Sequence, residues 1–383
     1  MRVALNVEQL LFHPPGGTGR YTAKLLALFA DLCPGDEVIP FSAWHSAAQV
    51  DAAYRFFAID QASRPHRLPL PRPLLYEAWH RLGTMAPTRL SSAVARADIV
   101  HAPSPAVPPR GKRPLVVTVH DAAFALHPEA YPARGRRFHE IGVARAAHRA
   151  DLVITVSHAA AAEIVEHTAV RAERLRVVHS GVDQIEAEHN AVAATRNRLG
   201  LDRPYVLWVG SDEPRKDVGT LLAAFARITP GGEAATHDLV LVGPRGWLGG
   251  GAKDEDDLRR IGNRLRVLGP VDDATLRCLY AGADLFAFPS KHEGFGLPVI
   301  EAMVQRTPVL CSDIPALVEV TGGAAMLAPP GDVDAWSAKL AHLLGEADEL
   351  VALATAGRER AKQFTWEKTV AATRAVYLEA LGA

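Results

Sequence analysis

Cysteine is scarce in this chain: Cys33, Cys278 and Cys311 are the only three among 383 residues. An odd, widely spaced set is no disulfide framework, and no C-x-x-C pair offers zinc ligands. No apolar run reaches the about 18 residues that a membrane span requires. The opening Met-Arg-Val-Ala-Leu-Asn-Val is a short strand soon followed by Pro14, Pro15, Gly16 and Gly17, which is no signal-peptide pattern. Excess charge is also lacking. A net charge of −1 and a pI near 7.0 argue against a dedicated nucleic-acid binder. H-E-x-x-H, P-loop and G-x-S-x-G sequences are all missing, which removes the usual zincin, nucleotide-triphosphatase and serine-hydrolase readings. Two D-x-D arrangements exist. Asp254-Glu255-Asp256 lies in a charged surface loop, and Asp332, after Pro330-Gly331 and before a helical run, reads as an N-cap. The expectation is a cytoplasmic chain without a metal or other cofactor.

What the chain does have is apolar content, 48% against 22% charged residues, enough for real cores. Its length fits two domains. Six short apolar runs lie in each half. They are Arg2–Val7, Glu37–Phe41, Asp98–His101, Leu115–His120, Leu152–Val156 and Leu175–His179, then Tyr205–Gly210, Leu239–Gly243, Leu265–Leu268, Leu285–Pro289, Val309–Ser312 and Met326–Ala328. Ala-rich amphipathic stretches separate them. Near-continuous apolar strands between helices mean parallel sheets covered on both faces. The pattern predicts an α/β fold of two doubly wound, Rossmann-like domains, residues 1–190 and 200–365, with the break near 185–204. A helical stretch, Trp366 to Leu381, follows both sheets and must dock on one of them. Ala97-Asp98-Ile99, Ala150-Asp151-Leu152 and Ala283-Asp284-Leu285 each enter a strand, a weak internal echo.

Charge is uneven. Residues 52–150 hold 15 basic and 6 acidic side chains. This is either a solvated surface or a face for an anionic acceptor or a membrane surface, with Arg134, Arg136 and Arg137 the densest cluster.

In open α/β sheets ligands bind beyond the carboxyl ends of the strands. Four segments there carry chemistry. Gly16-Gly17-Thr18-Gly19-Arg20-Tyr21 precedes a helix, where glycines admit a phosphate to backbone amides or simply form a turn. His120, followed by Asp121, ends a strand and points into the crevice or is satisfied by backbone. Gly210-Ser211-Asp212-Glu213-Pro214-Arg215-Lys216 sets a fork and a point cation at a strand-to-helix turn, suited to a diphosphate or merely exposed. The richest is Ser290 to Met303. Gly294 and Gly296 free backbone amides, Pro298 suits the first turn of a helix, and Glu293 and Glu301 both face one ligand. Paired carboxylates suit the vicinal hydroxyls of a sugar and a ribose.

Together these segments, with Thr155-Val156-Ser157 and Gly181-Val182-Asp183, resemble the retaining nucleotide-sugar glycosyltransferases of family 4. The likeness runs over nearly the whole chain. It implies the GT-B architecture, with the two domains facing a central cleft and the terminal helix, about 366–383, packed back on the N-terminal domain. It implies a donor, such as GDP-mannose, held by the C-terminal domain, and a glycan, lipid-linked or small-molecule acceptor held by the N-terminal one, as in polysaccharide biosynthesis, with peripheral membrane contact at the inner face. Arg215 and Lys216 would grip the diphosphate, with Gly17 and Gly210 also on the donor side. Glu293 would hold the donor sugar, the amides of Phe295, Gly296 and Leu297 the sugar or phosphate, and Glu301 the ribose. His120 would face the sugar. Gly16, Thr18, Arg20 and the arginines at 134, 136 and 137 would lie on the acceptor side. Relatives often carry an arginine where this chain has Ser211, which leaves Arg215 to carry that load. The implied chemistry is front-face substitution without an enzyme nucleophile or metal. An epimerase or phosphorylase of the same plan, and a non-catalytic sugar-nucleotide binder, are the rival classes.

Overall fold

The computed structural model describes residues 1–12, 16–228, 236–244 and 255–382. Pro14, Pro15 and residues 251–254, including Asp254 of the first D-x-D, lie outside them. The chain divides into two compact units. One comprises Met1–Gly181 together with Trp366–Ala383, the other Val182–Thr365. The division thus falls just before the polar stretch at 185–204, and the helix His189–Leu199 within that stretch belongs to the second unit.

The first unit holds a seven-stranded parallel sheet: β1 (Arg2–Asn6), β2 (Glu37–Trp44), β3 (His66–Pro71), β4 (Ile99–Ala102), β5 (Leu115–Thr118), β6 (Leu152–Thr155) and β7 (Leu175–Val177). Their order is β3-β2-β1-β4-β5-β6-β7. The second unit holds six: β8 (Tyr205–Val209), β9 (Asp238–Val242), β10 (Leu265–Gly269), β11 (Leu285–Phe288), β12 (Val309–Ser312) and β13 (Met326–Ala328), ordered β10-β9-β8-β11-β12-β13. The expected α/β class with two parallel sheets is what forms. One strand was not anticipated: β3, His-Arg-Leu-Pro-Leu-Pro, carries two prolines. Proline cannot donate to a ladder, so such a segment survives only at a sheet edge, where β3 lies, paired to β2 alone.

The sheets are buried on both faces, as their sequences require. In β5, Leu115 and Val117 enter one core with Phe41, Leu68 and Trp79, while Val116 enters the other with Ile154, Tyr21 and Phe29. That second core also takes Trp366, Val370 and Tyr377 from the terminal helix Trp366–Leu381. The helix is tied down by Arg374 Nε to Asp36 at 2.6 Å, by the Arg176–Glu379 ion pair, and by the Thr369 hydroxyl donating to the His179 carbonyl at 2.8 Å. Among the described residues no helix is long and apolar enough to cross a membrane.

The Ala-Asp echo has a structural cause. Asp98, Asp151 and Asp284 each stand just before a strand, and each carboxylate accepts the amide of the residue that opens the neighbouring strand: Arg2 at 2.8 Å, Leu115 at 2.9 Å and Tyr205 at 2.8 Å. The aspartates therefore close the amino ends of the β1/β4, β5/β6 and β8/β11 pairs. Strand-end amides left without a ladder partner take such acceptors, and the device leaves the opposite, carboxyl ends to carry chemistry.

Candidate functional site

In the second sheet the strand order runs outward in opposite directions from β8 and β11, so the switch point lies between them. The two segments richest in chemistry leave these two adjacent strands. They are locked together by backbone: the Lys291 amide donates to the Arg215 carbonyl at 2.8 Å. Beside them Gly243 lies so close to Gly210 that a Cβ would overlap the Gly210 carbonyl. Gly210 itself donates its amide to Val242 at 3.0 Å, which fixes the turn out of β8.

Pro214–Lys216 forms a single tight turn, ended by Asp217 in the left-handed region at φ 46°, before the helix Val218–Ile228. That turn aims its cations toward β11. Lys216 Nζ donates to Glu293 Oε1 at 2.5 Å and lies 5.0 Å from the Phe288 ring centroid. Arg215 reaches Glu293 Oε2 at 3.5 Å through one terminal nitrogen, while its Nε donates to Glu213 Oε2 at 3.2 Å. The second oxygen of Glu213 accepts the Ser211 hydroxyl at 2.6 Å. Ser211 thus orients the buried Glu213, and Glu213 orients Arg215. The sequence marks neither role, because a carboxylate two residues from an arginine carries no periodic signal.

The side chains of Lys216 and Glu293 are 10% and 8% exposed. Burial alone would raise the Glu293 pKa, but the charges of Lys216 and Arg215 win and hold it below the usual range. Burial pulls the Lys216 pKa down, with Glu293 opposing. The result is two cations and two carboxylates in a water-poor setting at a ligand edge.

Gly296 opens the helix Leu297–Val304 at φ 104°, and Pro298 sits in its first turn. The positive φ favours glycine, and a Cβ there would lie 2.5 Å from Leu317 Cδ2, so the leucine end would have to shift. The Phe295 side chain turns inward against Phe364, ring centroids 5.6 Å apart, so only its backbone faces outward chemistry. Glu301 is half-buried on this helix and accepts the Tyr280 hydroxyl at 3.1 Å. The Tyr280 hydroxyl contact has no linear signature.

In the first unit the switch point lies between β1 and β4. Gly17 and Thr18 begin the helix Gly17–Leu32, Gly16 precedes it, and Arg20 donates its amide to the Gly16 carbonyl at 3.1 Å. His120, half-buried beyond β5, lies with Nε2 3.2 Å from the Pro103 carbonyl and its ring edge-on to Tyr21. Burial lowers its pKa, and the Pro103 bond opposes that. A neutral ring donating from Nε2 keeps Nδ1 as an acceptor. Arg134, Arg136 and Arg137 are exposed in the first turns of the helix Ala133–Arg149, and Arg136 pairs with Glu140 at 3.3 Å. Of the D-x-D aspartates, Asp332 accepts the Ala335 amide at 3.0 Å as an N-cap, Asp334 pairs with Arg227, and Asp256 pairs with Arg259.

Residues 15–184 match the family described as Glycosyltransferase Family 4, and residues 203–346 match Glycosyl transferases group 1. The O-antigen chain mannosyltransferase B of Escherichia coli is 33% identical over 98% of this chain and 99% of its own length. The MMP alpha-(1->4)-mannosyltransferase of Mycolicibacterium hassiacum is 33% identical over 62% of this chain and 56% of its own. Among solved structures, Anabaena HepE, determined in complex with UDP and glucose, overlays with a TM-score of 0.72 at 21% identity, covering 99% of both chains. The chain is similar to the two mannosyltransferases in sequence and to HepE in fold, and by its sequence it belongs to glycosyltransferase family 4.

Proposed function

We propose that this glycosyltransferase is a retaining mannosyltransferase that moves mannose from GDP-mannose to a hydroxyl of a glycan or lipid-linked glycan, without a divalent metal. The observation that carries the reading is the Arg215–Lys216–Glu293 cluster at the β8/β11 switch point. A departing nucleoside diphosphate needs cations in a poorly solvated place, and a hexose needs a carboxylate that accepts two hydroxyls. Both stand within one contact of each other here. The names of the two mannosyltransferase relatives support mannose.

In the proposed step the acceptor oxygen attacks C1 on the face from which the diphosphate leaves. The C1–O bond to the β-phosphate breaks, the new glycosidic C1–O bond forms, and a departing phosphate oxygen takes the acceptor proton. Arg215, held by Glu213, and Lys216 stabilise the charge that develops on the diphosphate. Glu293 accepts hydroxyls of the sugar, Glu301 those of the ribose, and the backbone at Phe295, Gly296 and Leu297 supplies amide donors.

The test is transfer from GDP-mannose, UDP-glucose and ADP-glucose to a panel of mannosides, with the product anomer read by NMR and excess EDTA in a parallel arm. The α-anomer, made equally well in EDTA, is expected. A β-linked product overturns retention. Loss of activity in EDTA that Mg²⁺ or Mn²⁺ restores overturns the metal-free reading.

A further inference from the structure

The glycine-rich segment Gly16–Tyr21 has no part in the proposed transfer step, and its residues divide into two. At Gly16 and Gly17 an added Cβ would meet nothing within 4 Å. At Gly19 it would lie 3.1 Å from the Gln9 carbonyl oxygen and 3.4 Å from the Phe57 ring. Gly19 therefore lets the helix Gly17–Leu32 lie close on the turn Glu8–Leu11 that follows β1. Tyr21 stands two positions further along that helix. It is buried in the core that also holds Val116, Ile154 and Trp366.

Two rings meet the Tyr21 ring. Trp366, which opens the anchored terminal helix, lies at 6.4 Å and 50° between centroids and planes. His120 lies at 5.1 Å and 88°, an edge contact. The second hold on His120 is the Pro103 carbonyl, 3.2 Å from Nε2. Strands β1, β4 and β5 are successive neighbours in the sheet. The helix after β1 supplies Tyr21, the segment after β4 supplies Pro103, and the segment after β5 supplies His120 itself. Three strand exits around the switch point thus converge on one imidazole.

The two holds do different things. A carbonyl only accepts, so the bond to Pro103 places the ring proton on Nε2 and leaves Nδ1 bare in the neutral ring. Among the described residues no group bonds Nδ1. A single hydrogen bond fixes one ring atom but not the plane, because the outer torsion of histidine is broad. The perpendicular contact with Tyr21 supplies what is missing: aromatic pairs favour this arrangement, and a ring wedged against it has one plane to occupy. A bare, fixed imidazole nitrogen is an acceptor for a hydroxyl.

We propose that Tyr21 is a positioning residue for transfer, holding the plane of the His120 ring so that Nδ1 presents a bare acceptor to one sugar hydroxyl. The proposal rests on the transferase reading and deepens it, by giving the Gly16–Tyr21 segment a task in the reaction.

The test compares Tyr21→Leu, which removes the ring, with Tyr21→Phe, which keeps it. Phe29→Leu is the packing control: it removes a ring from the same helix and the same core, about two turns away. Long-range ¹⁵N–¹H correlation spectra of the full chain, labelled at histidine, read each imidazole tautomer at neutral pH, with His120 assigned by the signal missing from His120→Asn. The wild type is expected to show one tautomer at His120, protonated at Nε2. Tyr21→Leu should show a mixture and lose about tenfold in kcat/KM, the upper end of what one aromatic contact supplies, with unchanged affinity for GDP and UDP. Tyr21→Phe should restore the single tautomer and the rate. Phe29→Leu should lower the urea midpoint yet keep both. The KM that rises, for the nucleotide sugar or for the mannoside acceptor, identifies the owner of the hydroxyl. A mixture already present in the wild type, a single tautomer retained in Tyr21→Leu, an equal loss of rate in Phe29→Leu, or a loss with neither KM raised overturns the proposal. Tyr21→Met takes the place of Tyr21→Leu where the latter does not fold. Failure of the transferase reading shows separately, as a wild type that transfers from no sugar nucleotide, and the tautomer spectra then still decide whether Tyr21 holds the ring.

Discussion

Replacing Glu293 with glutamine is expected to tighten binding of a bare nucleoside diphosphate while crippling use of the nucleotide sugar. From sequence, a carboxylate assigned to the donor sugar should leave the bare nucleotide untouched. The structure changes that expectation, because Glu293 holds Lys216 at 2.5 Å and touches Arg215 at 3.5 Å. Those are the two cations proposed to take the diphosphate. On that proposal the diphosphate takes contacts that the carboxylate now makes, so binding exchanges one anion for another. Removing one partner of a buried ion pair costs about 3–5 kcal/mol, because the other charge is left uncompensated. A diphosphate restores that compensation in the variant. Recovery of only about 1.4 kcal/mol makes binding tenfold tighter. For the sugar nucleotide the lost charged hydrogen bonds are worth about 1.5–3 kcal/mol each, so kcat/KM should fall by roughly tenfold or more. Calorimetric titration of both proteins with GDP and with UDP, at neutral pH where Glu293 is ionised, reads the first effect. Steady-state kinetics read the second, and urea unfolding reads the lower stability of the variant. Diphosphate affinity in Glu293→Gln that is equal to or weaker than in the wild type would refute the exchange.

Three further outcomes follow from the geometry. Glu301→Gln should weaken the nucleotide sugar and the bare diphosphate alike, since both carry ribose, and Tyr280→Phe should reproduce part of that loss by freeing the carboxylate that Tyr280 now holds at 3.1 Å; an effect of Glu301→Gln on only one ligand argues against the ribose assignment. Gly296→Ala should cost about 1–3 kcal/mol in urea unfolding, because alanine is strained at φ 104° and its Cβ meets Leu317, and a neutral result would contradict the backbone argument. Acid should destabilise the first unit through His101 and His80, held neutral by burial with pKa values of about 3 and 4. Both folded values lie below the unfolded value near 6.5, so the stability is present above that pH and falls as pH drops toward 4 and then 3, by about 1.4 kcal/mol per pH unit for each ring. Urea midpoints at pH 7 and pH 5 check the slope, and His101→Asn should flatten it; identical slopes in wild type and variant would exclude the ring.

Reading the site from sequence works where chemistry is local and fails where it is assembled. β8 and β11 are visible as apolar runs, and the residues just past them, Arg215, Lys216, Glu293 and Gly296, are visible because a ligand edge concentrates cations, carboxylates and glycines within a few positions. Strand order is not visible, so nothing in the sequence says that these two loops leave neighbouring strands at a switch point. Nor could it show that Lys216 and Glu293, separated by 77 positions, share one buried contact. The same limit explains β3. Its prolines argue against a strand in any context except an edge, and edges are a property of the finished sheet. Arg72, the first residue beyond that hidden strand, therefore had no strand end to mark it. Once β3 is placed, Glu8, His45 and Arg72 become three successive strand-end residues on one sheet edge. That edge of the first unit is thus a product of topology, and the strongest part of the second unit's site is a product of motif. This is why the Arg215–Lys216–Glu293 cluster can be argued from short segments, whereas the Glu8–His45–Arg72 edge had to wait for the sheet.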